Sequence, residues 1–272
     1  MKKILVTGSS GLIGSIIYQN LKHKYNFTGM DKVKNIDNAN LPTHIINSNK
    51  IEEINSAFKD IDIVIHLAAN ASELTEWDLV LKNNIELTRN VFEASKLNDV
   101  SRVIFASSNH AVGNFEKDEP YKSIVNGKYE NLDPIKIVKV NEKVPIRPDS
   151  NYGISKAFGE ATARYYYEHY NLESISLRIG TVIKENSPKT NIRHYATLLY
   201  QEDLVQLIDK AISAANINSE IMETTGISKL TAARLDEFTS FSFKYFAILT
   251  LNFLLLFPVR SFIILKTLFN HN

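Results

Sequence analysis

The apolar residues of this chain fall in short runs separated by longer helical patterns. Ile4-Leu5-Val6 is bounded by Thr7-Gly8, and a run from about Asn26 to Met30 ends in Asp31. Asp62-Ile-Val-Ile-His-Leu-Ala-Ala69 ends in small residues, and Arg102-Val-Ile-Phe-Ala106 runs into Ser107-Ser108-Asn109-His110. Ser174 to Ile179 is a further run. Continuous apolar runs of this length predict strands buried on both faces. Helical patterns are predicted from the glycine loop to about Leu21, over 51–59, over 79–96, over 151–170 and near 199–215. Strand and helix alternate throughout. That order predicts an α/β fold, a doubly wound parallel sheet with helices on both faces and its site at the carboxyl ends of the strands.

The first turn carries the most chemistry. Thr7-Gly8-Ser9-Ser10-Gly11-Leu12-Ile13-Gly14 joins a predicted strand to a predicted helix. Gly8 permits the tight turn, Gly11 lets the backbone approach a pyrophosphate, and Gly14 lets the helix pack on the strand, with free N–H groups of the helix start facing the phosphates. Asp31, at the end of the second strand, stands where an acid accepts hydrogen bonds from an adenosine ribose, which favours NAD over NADP. Lys32 and Lys34 follow it and would tolerate a 2′-phosphate. The small residues Ala68-Ala69 after Leu67 leave room for a ligand over the sheet edge. The sheet is therefore predicted to be of the Rossmann type.

Composition narrows the partners. With 22% charged residues and a net charge of +1, nothing suggests a nucleic-acid surface. The chain has no cysteine, hence no disulfide framework and no thiolate metal site, and no metal is expected. The amino-terminal apolar run is too short for a signal peptide and leads straight into the glycine loop, so a cytoplasmic protein is expected.

Tyr152 and Lys156 are four residues apart in Asn151-Tyr-Gly-Ile-Ser-Lys156, on a predicted helix. That spacing puts both on one face, one turn apart. An ammonium beside a phenol stabilises the phenolate, which makes the pair a proton-transfer device next to a redox cofactor.

Taken in order, the glycine loop, Asp31, His66-Leu-Ala-Ala69, Asn84, Ser107-Ser108 and Tyr152-x-x-x-Lys156 resemble the extended short-chain dehydrogenase/reductase superfamily, the NAD-dependent epimerase/dehydratase family, over about residues 1–215. Ser107-Ser-Asn-His110, Arg147-Pro-Asp149, Tyr152 to Glu160, Arg178-Ile-Gly-Thr181 and Asn191-Ile-Arg193 resemble uronate dehydrogenases in particular. The resemblance implies NAD-dependent oxidation of the anomeric hydroxyl of galacturonate or glucuronate to an aldarolactone. It implies that Ser108 holds the reacting oxygen, Tyr152 is the base, and Lys156 binds the nicotinamide ribose and lowers the tyrosine pKa. It places Gly8, Gly11, Leu12, Ile13, Gly14, Asp31, Leu67, Ala68, Ala69, Asn84, Tyr152 and Lys156 on the cofactor. Ser72, Ser108, Asn109, His110 and Thr181 are placed on the sugar, and Arg193 on its carboxylate. A nucleotide-sugar epimerase or dehydratase, and a cofactor-binding protein without catalysis, are the alternative readings.

The chain departs from the pattern in three places. Where the family has an aspartate near the adenine, this chain has Asn47. Residues 117–142 are additional, polar and lysine-rich, and Asn126-Gly127 with the alternating Ile135–Val140 predicts a hairpin. A lid, a substrate-altering element and a solvated surface loop are all open for it. The resemblance then ends, so that residues 1–219 are predicted as the Rossmann domain with its substrate-binding loops and 220–272 as a divergent apolar segment. Its apolar run from Tyr245 to Phe257 is shorter than the roughly 20 residues of a spanning helix, so membrane contact through 245–265 is not favoured. The expected partner is a small sugar acid, with a homo-oligomer left open.

Overall fold

The computed structural model describes residues 1–128, 130, 132–133, 136–138, 140–185, 193, 197–215 and 217–224. The compact unit Met1–Thr231 carries the sheet. The 245–265 run lies outside the described residues, as does the 220–272 segment beyond Thr224.

Seven strands are described: β1 (Lys3–Thr7), β2 (Asn26–Asp31), β3 (Thr43–Ile45), β4 (Ile63–His66), β5 (Arg102–Ser108), β6 (Glu173–Ile179) and β7 (Ser219–Glu223). They form one sheet in the order β3-β2-β1-β4-β5-β6-β7. Every pairing is parallel. The helices are α1 (Leu12–Leu21), α2 (Ile51–Ile54), α3 (Trp77–Val80), α4 (Leu87–Leu97), α5 (Tyr121–Val125), α6 (Asn151–Tyr170) and α7 (Gln201–Ser213). The order runs outward from β1 in both directions, so β1 and β4 flank the switch point where a doubly wound sheet opens its ligand crevice.

The pleat sorts the apolar residues between the two faces. Leu5, Val64, Val103 and Phe105 share one core with Leu87, Val91 and Phe92 from the α4 side and with Ala163 and Tyr166 of α6. Ile4, Val6, Ile63, Ile65 and Ile104 are equally buried and point the other way, while α1 and α7 pack on each other and bury Ile16, Ile17, Leu204 and Ile208. Burying each such side chain is worth about 1.5–3 kcal/mol over leaving it exposed.

Helix α6 is the element that positions the chemistry. Its start is fixed by Ser150, whose Oγ accepts from Gly153 N at 3.0 Å. Its end is set by Asn171 at φ 56°. Gly159 lets it lie tightly on β5: a Cβ there would come within 2.1 Å of the Phe105 ring.

Three sequence expectations need correction. The hairpin in 117–142 is not formed among the described residues. Tyr121–Val125 is a short helix, and Asn126-Gly127, with Gly127 at φ 69°, turns the chain at its end instead of between strands. The sheet also runs past residue 219. Strand β7 pairs with β6, and Thr224 Oγ1 donates to Arg178 O at 2.9 Å, so 220–224 belong to the Rossmann unit. Finally, the helix expected over 79–96 is interrupted by a π-helical segment, Leu81–Glu86, between α3 and α4. No helix among the described residues is long and apolar enough to cross a membrane.

Candidate active site

A cleft of about 700 Å³ opens at the carboxyl ends of β1, β2, β4, β5 and β6. Fifteen of the residues singled out from the sequence line it: Gly8, Gly11, Leu12, Ile13, Gly14, Asp31, Leu67, Ala68, Ala69, Ser108, Asn109, His110, Tyr152, Lys156 and Thr181. Asn47, Ser72, Asn84 and Arg193 do not.

At one end the residues fit a dinucleotide. Gly8 sits at φ 71°, and a Cβ on it would lie 2.7 Å from Ala68 N, so only glycine fits the cradle. Gly11 caps α1 with extended backbone, and the first turn of α1 carries no acidic side chain, which leaves its N–H groups open to a pyrophosphate. The Asp31 carboxylate accepts from Ser10 N at 2.8 Å and from Lys32 N at 2.7 Å. Two fixed donors orient it, and its remaining lone pairs are available to ribose hydroxyls.

The other end holds the reactive groups. Burial pushes the Tyr152 phenol up to about 12; a hydrogen bond with Ser108 pulls it down, and the Asp149 charge pushes it up again. Burial lowers Lys156 to about 7. Its Nζ donates to Ala106 O at 2.7 Å and lies over the rings of Phe105 (5.0 Å) and Tyr152 (5.3 Å). The ammonium therefore meets the face of the tyrosine ring. His66 lies beneath, between Thr7 Oγ1 (2.7 Å) and Thr88 Oγ1 (3.0 Å). Burial and then the Lys156 charge depress it to about 3, so it is a neutral structural imidazole at ordinary pH.

Asn109 and His110 form a turn after β5. Asn109 is buried, and its Nδ2 has no protein partner, which leaves a donor for a ligand hydroxyl. His110 Nδ1 donates to Asp149 Oδ2 at 2.8 Å, its Nε2 is 3.7 Å from Glu73, and its ring packs edge-on against Tyr152 at 5.7 Å. Burial is the largest single influence on Asp149 and works against its ionisation, but the His110 hydrogen bond and charge, the Ser150 hydroxyl and the Arg193 charge together hold the carboxyl below the usual range. Thr181 Oγ1 pairs with Thr197 Oγ1 at 2.9 Å, and Thr197 Oγ1 donates to Arg193 O at 3.0 Å. The Arg193 Nε meets both oxygens of Glu116, at 3.0 and 2.8 Å.

Four of the expected residues lie outside the cleft lining. Asn47 is exposed, and the cleft there is lined by Ile46, Ser48 and Asn49. Ser72 is exposed, its Oγ accepting from Leu74 N. Asn84 is buried behind the cleft, where it bonds both backbone groups of Asn70 and donates to Ser155 Oγ at 3.0 Å, tying the β4 loop to α6. Arg193 is held by Glu116 beside the sugar end. Sequence reasoning missed the roles of Asp149, which orients His110, and of Glu116. An acid just before the α6 cap was the one available signal for the first. Partners 77 residues apart gave none for the second.

The family model described as "NAD dependent epimerase/dehydratase family" matches residues 4–202. The chain is 31% identical over 219 residues to NAD-dependent glucose-6-phosphate dehydrogenase of Haloferax volcanii, covering 78% of this chain and 80% of that one. It is 35% identical over 183 residues to L-arabinose 1-dehydrogenase (NAD(P)(+)) of the same organism, covering 67% and 68%. A solved structure described as a mutated uronate dehydrogenase superposes with a TM-score of 0.68 at 29% identity, covering 82% of this chain and 74% of that one.

Proposed function

Because this chain belongs to the NAD-dependent epimerase/dehydratase family, we propose that it oxidises the anomeric hydroxyl of a free monosaccharide to the lactone, with release of NADH and a proton. The observation that carries the reading is that Ser108, Tyr152 and Lys156 line one cleft, with the Lys156 ammonium over the tyrosine ring. The similar enzymes include a dehydrogenase of glucose 6-phosphate and one of L-arabinose, which favours net oxidation.

NAD supplies the acceptor for the hydride that leaves C1. The glycine loop and Asp31 would hold it at the switch point, with Lys156 toward its nicotinamide ribose. The chain's own residues do the rest. Ser108 holds the C1 oxygen, and Tyr152 takes its proton as the C1–H bond breaks. Asn109 Nδ2 and His110, fixed by Asp149, meet the ring hydroxyls, and Thr181 closes the far wall. A cytoplasmic location, with its NAD pool, belongs to this proposal. Galacturonate and glucuronate are the acid-sugar substrates that the uronate dehydrogenase resemblance implies, and that choice rests on Arg193.

The phenol pKa sets the pH dependence. In the free enzyme the base form of Tyr152 is scarce near neutrality, so kcat/KM for oxidation is expected to climb through the alkaline range. Lys156 does not oppose this through stability. Its folded pKa lies near 7, below the ordinary 10.5, so between these values the unfolded chain binds the extra proton and its contribution to stability rises with pH. A flat alkaline profile of initial rates would speak against Tyr152 as the base.

NADH absorbance against a panel of aldoses, hexuronates and nucleotide sugars tests the reading. Reduction of NAD by a free sugar is expected. Conversion of a nucleotide sugar without net NADH would instead make the chain an epimerase.

A further inference from the structure

Residue 116 lies in the 3-10 turn Gly113–Lys117, just past the Asn109–Ala111 turn that carries the sugar-end side chains. The turn is tied down: Asn114 N donates to Arg147 O at 2.9 Å, Asn114 Nδ2 to Pro148 O at 2.6 Å, and Phe115 packs under the Arg147 guanidinium. Arg147 in turn is paired with Asp118. Glu116 is thus presented to Arg193 from a fixed backbone, and both oxygens of its carboxylate engage one nitrogen. Both side chains are about three-quarters shielded from solvent (21% and 28% exposed), so the pair is only partly screened.

The Arg193 guanidinium also feels the charges of Asp149 and Glu73. These are the two carboxylates on either side of His110. Among the described residues one guanidinium therefore stands with three carboxylates, and these side chains are net negative even with His110 protonated. A carboxylate arriving on a sugar would have to displace Glu116 or join the cluster as a fourth anion, whereas a hydroxymethyl group or a hydrogen in its place meets no such repulsion.

We propose that Glu116 is a specificity-determining residue, which claims Arg193 and so makes the cleft select neutral aldoses over hexuronates and sugar phosphates. This rests on the reading of the cleft as a sugar C1-dehydrogenase site. Glu116 touches no reacting atom. It acts through Arg193, and its removal releases that guanidinium for an anionic substrate.

The test compares wild type with Glu116→Gln, which keeps the shape and removes the charge. The substrates are matched pairs, glucose with glucuronate and galactose with galacturonate, with glucose 6-phosphate as a more highly charged probe. Wild type favours the neutral member of each pair. The variant shifts the kcat/KM ratio toward the acid by on the order of tenfold or more, chiefly through KM, because the like charge that opposed the substrate carboxylate is gone. An unmoved ratio, or a shift toward the neutral sugar because Glu116 holds Arg193 ready for a carboxylate, overturns the proposal. Calorimetric titration of the same sugars into NAD-loaded Tyr152→Phe protein, with and without Glu116→Gln, reads selectivity without turnover. If no sugar is oxidised but binding shifts toward the acid, the proposal stands and the dehydrogenase reading falls. If sugars are oxidised and neither ratio moves, the reading stands and Glu116 is structural. If no sugar binds, both fall.

Discussion

Tyr152→Phe is expected to lower kcat by about a hundredfold to ten-thousandfold, the range over which a positioned proton acceptor acts. The substitution removes one oxygen from a ring that is buried and packed against His110 and Lys156. The ring stays in place, so folding and NAD affinity are expected to be close to wild type. That separation is the useful part of the result. The Tyr152 phenol lies at the sugar end of the cleft, while the glycine loop and Asp31 lie at the other. Stopped-flow or steady-state NADH formation gives kcat, and quenching of the single tryptophan, Trp77, or calorimetry gives cofactor binding. Loss of NAD binding in parallel with loss of rate would make Tyr152 a packing residue.

Glu160→Gln is expected to destabilise the fold by about 3–5 kcal/mol, the usual loss when one partner of a buried ion pair is removed. Glu160 and Arg178 are each only 1% exposed in their side chains. Arg178 Nε and Nη2 meet the two Glu160 oxygens at 2.9 Å each, and Ser107 Oγ donates to Oε1 at 2.6 Å. The pair links α6, β5 and β6 directly behind Ser108 and Tyr152. Burial, the largest single influence, opposes the charge on Arg178, and the Glu160 hydrogen bond and charge, with smaller help from the Glu223 and Glu142 charges, together raise its pKa. With glutamine at 160 that compensation is lost while the guanidinium stays buried. Urea denaturation of the purified variant measures the difference. A change under about 1 kcal/mol, the range of an exposed pair, would mean that the pair is open to solvent.

Most of the sheet was legible because its strands are buried on both faces. The runs at Ile4, Asp62 and Arg102 are largely apolar and overlap β1, β4 and β5, and Ser174 to Ile179, which alternates, lies within β6. Strand β3, Thr43-His-Ile45, is three residues at an edge and half exposed, so it carries no apolar run. Strand β7, Ser219-Glu-Ile-Met-Glu223, is the opposite edge and mostly polar in sequence. Its backbone pairing with β6 is a long-range fact that local pattern does not encode. Asn126-Gly127 was read as a turn, which it is, but the helix at Tyr121 made it a helix terminus.

The site shows the same division. Gly8, Asp31, Ser108, Tyr152 and Lys156 were legible because each sits at a strand end or at a fixed helical spacing. What Lys156 does to Tyr152 was not, because it depends on where the ammonium sits relative to the ring. Asn84 was placed on the cofactor by resemblance, and its observed bonds to the Asn70 backbone and the Ser155 hydroxyl are long-range geometry that residue type does not reveal. The partnership of Arg193 with Glu116 depends on a turn far away in sequence, and it is this pair that bears on which sugar enters.

The central claim is that a hydride leaves C1 of a free sugar in this cleft. Incubation of the enzyme with NAD and an aldose deuterated at C1, followed by mass analysis of the nicotinamide and the sugar product, tests it. The account predicts one deuterium in the reduced nicotinamide and a lactone lacking it. Reduced nicotinamide without deuterium, or deuterium retained in a sugar epimerised elsewhere, would contradict it.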